Sequence, residues 1–206
     1  MAGPWSYDKT SRRYRNTETG RYLSNKQMLG LRDTFSAKQA EKVKDLAGKV
    51  SNGLTVGEWE RSMRATIRNN TVDQYVLGRG GRNAMTPADW GRVGQLVRGQ
   101  YKYAAQFAQD IADAKLSAAQ IAARSQLYMA ASTNAYERGG AASFKGLRLP
   151  TYPADGSQEC KANCKCSWDI ADKADRYEAT WTLGVADHCS TCISNAGQYA
   201  PFVQVK

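Results

Sequence analysis

Five cysteines and the single histidine of this 206-residue chain fall within 33 consecutive residues, and this clustering constrains the fold more than any other sequence feature. The six residues are Cys160, Cys164, Cys166, His188, Cys189 and Cys192. Their spacing is C-x3-C-x-C, then 22 residues, then C-x2-C. Two close-set thiol groups separated by a short segment are typical of structural zinc sites, where each group supplies two thiolates to one tetrahedral ion.

The segment between the two cysteine groups predicts a β-hairpin. Residues 167–170 and 177–183 alternate in polarity with period two around a polar turn at 172–176. Because a lone hairpin is marginally stable in water, a tail of this size needs a cross-link. We therefore expect residues 141–206 to form a small α+β hairpin module stapled by zinc.

Two cysteines from each group form the preferred ligand set. These are Cys160, Cys164, Cys189 and Cys192. Cys166 is the substitute, because one residue separates it from Cys164 and two such close thiols are poorly placed to bind one ion together. His188 could replace a thiolate or donate a hydrogen bond to one. The spacing alone leaves open which four of the six residues bind.

Disulfides or free buried thiols are the alternative interpretation of these cysteines. Five is an odd number, and residues 1–6 lack the apolar stretch of a signal peptide, so we expect a reducing compartment. Zinc is therefore favoured over two disulfides with a spare thiol. A catalytic cysteine is not expected, because the nucleophile needs a base and the single histidine lies inside the cluster.

Residues 36–140 predict a helical, bundle-like domain, so the expected fold class is mainly α. The first of four helices begins near Ser36. Capping patterns at Thr55, Thr86 and Ser117 then mark three further starts, and apolar residues recur at helical spacing after each of them.

The formal charge of +10 is concentrated in two regions. Residues 1–32 carry +5 and residues 61–102 carry +6, whereas residues 151–206 carry −2. Residues 1–35 lack helical periodicity and interleave arginines with aromatic residues, which predicts an extended basic N-terminal arm. The candidate contacts for nucleic acid or a partner protein are Arg12, Arg13, Arg15, Arg21, Arg79 and Arg82.

Several segments together carry a family likeness. Residues 86–94 read TPADWGRVG, and the terminal module contains NCKCSW at 163–168 and DHCSTC at 187–192. This order of a helical domain and a cysteine module resembles the minor head, or head morphogenesis, proteins of the phage Mu F-like group. The two cysteine pieces stand in reversed order here. Lys161 occupies the position of the family's histidine, which leaves Cys160 as the candidate replacement ligand.

The resemblance implies a non-enzymatic structural protein of a tailed-phage virion, a minor capsid or head morphogenesis component at the head interior or portal vertex. Its expected partners are portal or capsid protein in a multi-copy assembly, with packaged DNA as a further candidate. It would occupy the virion and, during assembly, the host cytoplasm. No membrane association is expected, because the sequence contains no apolar run long enough to span a bilayer.

Two other function classes compete with this one. The first is a basic nucleic-acid-binding protein with a zinc module, whose affinity would weaken steeply as salt rises. The second is an enzyme with a dispersed site, but no paired-carboxylate or base-nucleophile pattern stands out in the sequence. We therefore expect a binding protein.

Overall fold

The computed structural model describes residues 5–8, 11, 13–50, 52–185 and 187–206 and is mainly helical, as predicted. Its α-helices are α1 (Asn25–Val50), α2 (Val56–Arg79), α3 (Pro87–Ala112), α4 (Ala118–Ala130), α5 (Thr133–Ala141) and α6 (Ser190–Gln198). Its strands are β1 (Trp5–Asp8), β2 (Arg13–Asn16), β3 (Ser167–Asp172), β4 (Arg176–Thr182) and β5 (Phe202–Val205). In these ranges, no helix combines the length and the apolar character needed to cross a membrane.

Helices α1 to α4 enclose the main hydrophobic core. Trp59 and Ile67 of α2 meet Phe107 of α3 and Tyr128 of α4 in one buried cluster. The Trp59 and Phe107 rings pack edge to face with centroids 4.8 Å apart, a favourable arrangement for aromatic pairs. The capping boxes predicted at the starts of α2, α3 and α4 are all formed, so the sequence signals for these starts are confirmed.

Helix α1 begins at Asn25, inside the segment expected to be an extended arm. Ser24 and Gln27 form a reciprocal cap, in which the Gln27 N–H donates to Ser24 Oγ and the Ser24 N–H donates to Gln27 Oε1. Apolar side chains of the first turns then pack against Leu77 of α2: Met28, Leu31 and Phe35. The predicted start near Ser36 therefore lies in the interior of α1.

The single helix expected after Ser117 is interrupted at 131–132, which separates α4 from α5. Ser132 Oγ donates to the Met129 carbonyl at 2.6 Å. Asn70 Nδ2 of α2 in turn donates to Ser132 Oγ at 2.8 Å. The Met129 carbonyl thus accepts a side-chain hydrogen bond in place of the backbone N–H that a continuous helix would supply. Helix α5 begins after this break as a separate element.

The cysteine module contains an antiparallel sheet with strand order β3-β4-β5. The hairpin of β3 and β4 is confirmed, and its cross-strand pair Trp168 and Trp181 packs edge to face at 5.3 Å. Strand β5 and helix α6 were not predicted. Strand β5 has four residues, which is too short for a clear alternating pattern in the sequence. It is a strand because it pairs with β4, where Tyr177 is aligned with Gln204.

Candidate metal centre

Three cysteine thiols from the two predicted groups converge in the module. The sulfur atoms of Cys160, Cys164 and Cys192 all lie within 4.8 Å of one another. The Sγ–Sγ distances are 3.7 Å from Cys160 to Cys192 and 3.6 Å from Cys164 to Cys192. A tetrahedral ion with metal–sulfur bonds of about 2.3 Å needs ligand atoms about 3.8 Å apart. This set of thiols could therefore hold a metal ion.

The first cysteine segment is shaped by a tight turn and a short 3-10 helix. The Asp155 carboxylate accepts two backbone N–H hydrogen bonds from its own loop, at 3.0 and 2.9 Å, and so fixes the turn that precedes Cys160. The 3-10 helix Lys161–Asn163 follows, with the left-handed φ of 49° at its first residue. Through this turn and short helix, the chain brings Cys164 close to Cys160 and to Cys192 of the second segment.

The second cysteine segment forms the N-terminus of α6. Cys189 is the N-cap residue and Cys192 lies in the first turn, so the C-x2-C spacing places both at one helix end. Ser190 Oγ donates to Glu159 Oε1 at 2.6 Å and joins this helix end to the first segment. The positive end of the helix dipole also favours thiolates at these positions.

Cys189 and Cys166 flank the three converging thiols, and each is a candidate fourth ligand. Cys189 contacts the thiols of Cys160 and Cys192. Cys166 is buried and contacts the thiols of Cys164 and Cys192. Neither sulfur completes a group of four within the distance that the other three satisfy. The structure therefore brings together three of the six predicted ligands, Cys160, Cys164 and Cys192, with Cys189 and Cys166 beside them.

The thiols shift one another's pKa values in opposite directions. A hydrogen bond from the Cys166 thiol outweighs burial and lowers the pKa of Cys164 to about 5. Burial raises the pKa of Cys160 to about 12, and the Cys164 contact raises the pKa of Cys166. One thiolate therefore opposes ionisation of its neighbours. A bound divalent cation would remove that repulsion and let several thiols ionise together.

His188 does not join the converging ligand atoms. It is half-buried and directly precedes Cys189, but the cluster found among the described residues contains thiols alone. The five cysteines are free thiols in the structure, and none is disulfide-bonded. The geometry thus favours a thiolate site over the substitution of His188 for a cysteine.

Of the four arm arginines that the sequence singles out, Arg12 lies outside the described residues, and Arg13 begins β2. Arg15 Nε donates to the Gly20 carbonyl at 2.8 Å, whereas Arg21 is exposed. Neither Arg15 nor Arg21 contributes to the group of converging thiols.

The two candidate arginines from the α2–α3 region have different surroundings. Arg79 Nε donates to the buried Asp89 carboxylate at 3.1 Å, so this charge is partly engaged inside the fold. The Arg82 guanidinium lies over the ring of Trp90, 5.4 Å from its centroid. Arg79 also lines a basic groove that sequence patterns did not reveal.

A buried ion pair between α1 and α5, which was not predicted, also forms hydrogen bonds with the cysteine module. Arg32 Nη1 of α1 lies 3.2 Å from Glu137 Oε1 of α5, and both side chains are nearly fully buried. Glu137 Oε2 accepts the backbone N–H of Trp168 at 2.9 Å, and Arg32 also donates to the Cys166 carbonyl. Because 105 residues separate the two charges, no local pattern connects them.

Comparisons with protein-family models, curated proteins and solved structures find no match for this chain. Chemically, the thiol cluster is suited to binding one soft or borderline cation. Such an ion would tie residues 160–166 to α6 across the sheet.

Proposed function

We propose that the protein is a non-enzymatic structural component of a tailed-phage virion, a minor capsid or head morphogenesis protein at the head interior or portal vertex that binds portal or capsid protein. The proposal rests on the proximity of the two cysteine segments that resemble those of the phage Mu F-like group. Cys164 and Cys192 approach to 3.6 Å although their segments stand in reversed order along the chain. Tetrahedral coordination does not depend on chain order, so the reversal is compatible with one shared site.

The ion proposed for this site is zinc in a structural role. Thiolate sets with tetrahedral spacing favour zinc or iron–sulfur chemistry, and C-x2-C paired with a second cysteine group is typical of zinc staples. Cys160, Cys164 and Cys192 would supply three thiolates. Cys189 is the proposed fourth ligand because Cys189 and Cys192 form a C-x2-C pair, a spacing typical of zinc ligands, whereas one residue separates Cys166 from Cys164.

Zinc would give the module a fixed shape for docking onto a neighbouring protein. A structural zinc ion contributes on the order of 10 kcal/mol to folding of small metallo-domains, far more than a lone hairpin supplies. The module packs on the helical body through Trp168 and Glu137, so a fixed module also has a fixed position relative to α5. Binding, with no chemical step, is the proposed mechanism.

Metal analysis tests the zinc assignment directly. Protein purified without added metal should contain about one zinc ion per chain by inductively coupled plasma mass spectrometry. Alkylation of the unfolded protein should find free thiols, as in the structure. A metal-free preparation with two intact disulfides would overturn the assignment.

Particle composition tests the virion assignment. In a strain that carries the coding sequence and produces particles, the protein should co-sediment with gradient-purified heads, in fewer copies than the major capsid protein. A Cys164→Ser/Cys192→Ser variant should be incorporated poorly, whereas Lys173→Ala, at an exposed position of the hairpin turn, should be incorporated normally. Absence of the wild-type protein from purified heads would contradict the proposal.

A further inference from the structure

A basic groove of about 800 Å³ lies between the start of α3 and the segment that follows α5. Five cationic side chains contribute to its lining: Arg79, Arg92, Arg138, Lys145 and Arg148. Asp89 is the single carboxylate residue among the described residues that line it. The groove therefore combines a large open volume with a strong excess of positive charge.

Asp89 offsets only one of these five positive charges, and its carboxylate is saturated with hydrogen bonds. It lies buried at the start of α3 and accepts hydrogen bonds from Arg79 at 3.1 Å and from Arg92 at 2.9 Å. The Tyr75 hydroxyl donates to it at 3.0 Å, and the Thr86 cap adds further bonds. Within the described part of the chain, no carboxylate forms an ion pair with Arg138, Lys145 or Arg148.

The positive charges converge near Tyr152. The Arg138 guanidinium lies over the Tyr152 ring, 4.2 Å from its centroid. Burial raises the pKa of Tyr152, while Arg138 and Arg92 act in the opposite direction because both hold positive charge close to its hydroxyl. Two arginines from different helices therefore reach the same end of the groove.

The segment that carries Lys145 and Arg148 is anchored by the sheet of the cysteine module. The Tyr177 hydroxyl donates to the Lys145 carbonyl at 3.0 Å, and the Arg148 N–H donates to Gln204 Oε1 at 2.8 Å. These bonds use backbone atoms of the segment and leave both charged side chains available to the groove. The fold thus presents the charges on a fixed backbone, which reduces the entropy lost when an anion binds.

A smaller cavity of about 220 Å³ continues the groove along α3. Gln95, Leu96 and Arg138 line both cavities. The smaller one adds the amide of Gln100 and the ring of Tyr103, which is 67% exposed. Exposed aromatic rings beside cations stack on nucleic-acid bases, and amides pair with sugar and base edges. An acidic peptide also matches the cations, but it carries no planar base beside each negative charge to stack on Tyr103.

We propose that this continuous groove binds a nucleic-acid strand, with phosphates against Arg138, Lys145 and Arg148 and sugars or bases against Tyr103 and Gln100. The site lies between the helical body and the segment after α5, and no cysteine is among the described residues that line it. It does not depend on the virion assignment, since a protein outside a phage head would bind the same ligand. Failure of the particle experiment and failure of the binding experiment are therefore separate results.

Fluorescence anisotropy with labelled oligonucleotides of about 20 nucleotides, longer than typical single-strand sites, tests the proposal. The full chain should bind the single strand at about 50 mM salt more tightly than the duplex, whose bases are already paired and stacked, and the affinity should fall steeply as salt rises. Lys145→Glu/Arg148→Glu should weaken binding by about tenfold or more and reduce the salt slope by about 0.7 for each single-strand phosphate that the variant no longer neutralises. The matched control Lys38→Glu/Lys44→Glu changes the net charge equally at exposed positions of α1 and should retain most of the affinity.

Tyr103→Ala provides a second test at an exposed side chain, where the fold is not at risk. It should weaken oligonucleotide binding several-fold, because a stacked base adds favourable binding energy that alanine cannot supply. Poly-glutamate at matched charge should displace the oligonucleotide less effectively than unlabelled DNA. Equal displacement by poly-glutamate would assign the groove to an acidic protein segment and overturn the proposal. Two other results would also overturn it: a loss of affinity in the α1 control as large as in Lys145→Glu/Arg148→Glu, or an unchanged affinity of Lys145→Glu/Arg148→Glu.

Discussion

At the scale of single residues, Glu137 has the most consequential environment in the described structure. Its carboxylate is buried and is held by one guanidinium and one backbone N–H. Burial raises its pKa to about 7, although Arg32 and the Trp168 N–H act to lower it. Burial also acts to lower the pKa of Arg32, but the carboxylates of Glu137 and Asp33 outweigh it, so the guanidinium stays charged.

This raised pKa predicts a stability that falls as pH rises. Between the ordinary value of 4.5 and about 7, the folded state holds a proton at Glu137 that the unfolded state has lost. The contribution of this group is therefore fully present below pH 4.5 and decreases as pH rises through about 7. Relative to Glu137→Gln, the wild type should lose on the order of 2 kcal/mol of unfolding free energy between acid and neutral pH.

Urea unfolding of both proteins at several pH values measures this difference. The thiol cluster is common to both, so its own pH dependence cancels. Glu41→Gln, at an exposed position of α1, is the control and should follow the wild type at every pH. A constant free-energy difference between the wild type and Glu137→Gln would contradict the assignment of the titration to Glu137.

The fourth metal ligand is a second question at residue scale. If Cys189 is the ligand, Cys189→Ser should lower zinc affinity far more than Cys166→Ser, whose loss would cost at most about 10–100-fold as a neighbouring contact. Competition with a chromophoric chelator measures both affinities. The reverse order would assign the fourth position to Cys166, which contacts Cys164 and Cys192.

At the scale of elements, the crossing of α2 and α5 depends on two glycines. A Cβ at Gly78 would lie 2.0 Å from the Tyr136 carbonyl oxygen, and one at Gly139 would lie 2.3 Å from the Tyr75 carbonyl oxygen. Both contacts are with backbone, so the helices would have to separate. The close approach of the two helices also places Glu137 of α5 where it accepts a hydrogen bond from the Trp168 N–H of the module.

Alanine substitutions at these glycines should therefore destabilise the protein. Gly78→Ala and Gly139→Ala should each cost several kcal/mol, roughly the penalty of overpacking a core, despite the better helix propensity of alanine. Gly91→Ala is the matched control because a Cβ there meets nothing within 4 Å. It should stabilise α3 by about 0.5–1 kcal/mol. Chemical denaturation of the three variants checks the contrast, and equal effects would refute the close crossing.

The elements that could be predicted from sequence are those with local signals. Helices α2 and α3 have complete capping boxes, and the β3–β4 hairpin has clear alternation around a polar turn. The early start of α1 also has a local signal, the Ser24 and Gln27 pair, but the basic and aromatic character of the segment favoured an arm instead. Strand β5 depends on pairing with β4, and the α4–α5 break depends on Asn70 of another helix, so tertiary contacts decide both.

At the scale of the whole molecule, metal removal should act unequally on the two parts. A zinc-selective chelator should expose the backbone amides of residues 150–206 to hydrogen exchange, while α2 and α3 stay protected by their own core. Helix α5 should lose part of its protection, because Glu137 would lose the Trp168 N–H. Hydrogen exchange with mass spectrometry measures this pattern. Uniform exposure of the entire chain would show instead that the helical body does not fold without the metal.

The candidate site was predictable to the extent that its chemistry was local. The cysteine spacing predicted two thiol groups facing each other across a hairpin, and three of the four preferred ligands converge. The basic groove was not predictable, because α2, α3, α5 and the segment after α5 each contribute only one or two of its charges. Segment charge totals emphasised residues 1–32 and 61–102, and the second range contributes only Arg79 and Arg92 to the basic lining of the groove.

The ion pair between Arg32 and Glu137 also has a consequence for the order of folding. Its partners are separated by 105 residues, and Arg32 reaches the Cys166 carbonyl across 134 residues. Neither charge can be buried alone without a large desolvation penalty, so α1 and α5 must dock together, and β3 adds its hydrogen bond to the buried pair afterwards. Contacts of such long range close late, after local helices have formed. Newly made chains should therefore pass through a helical species whose cysteine tail is still undocked, and metal would be captured at this stage.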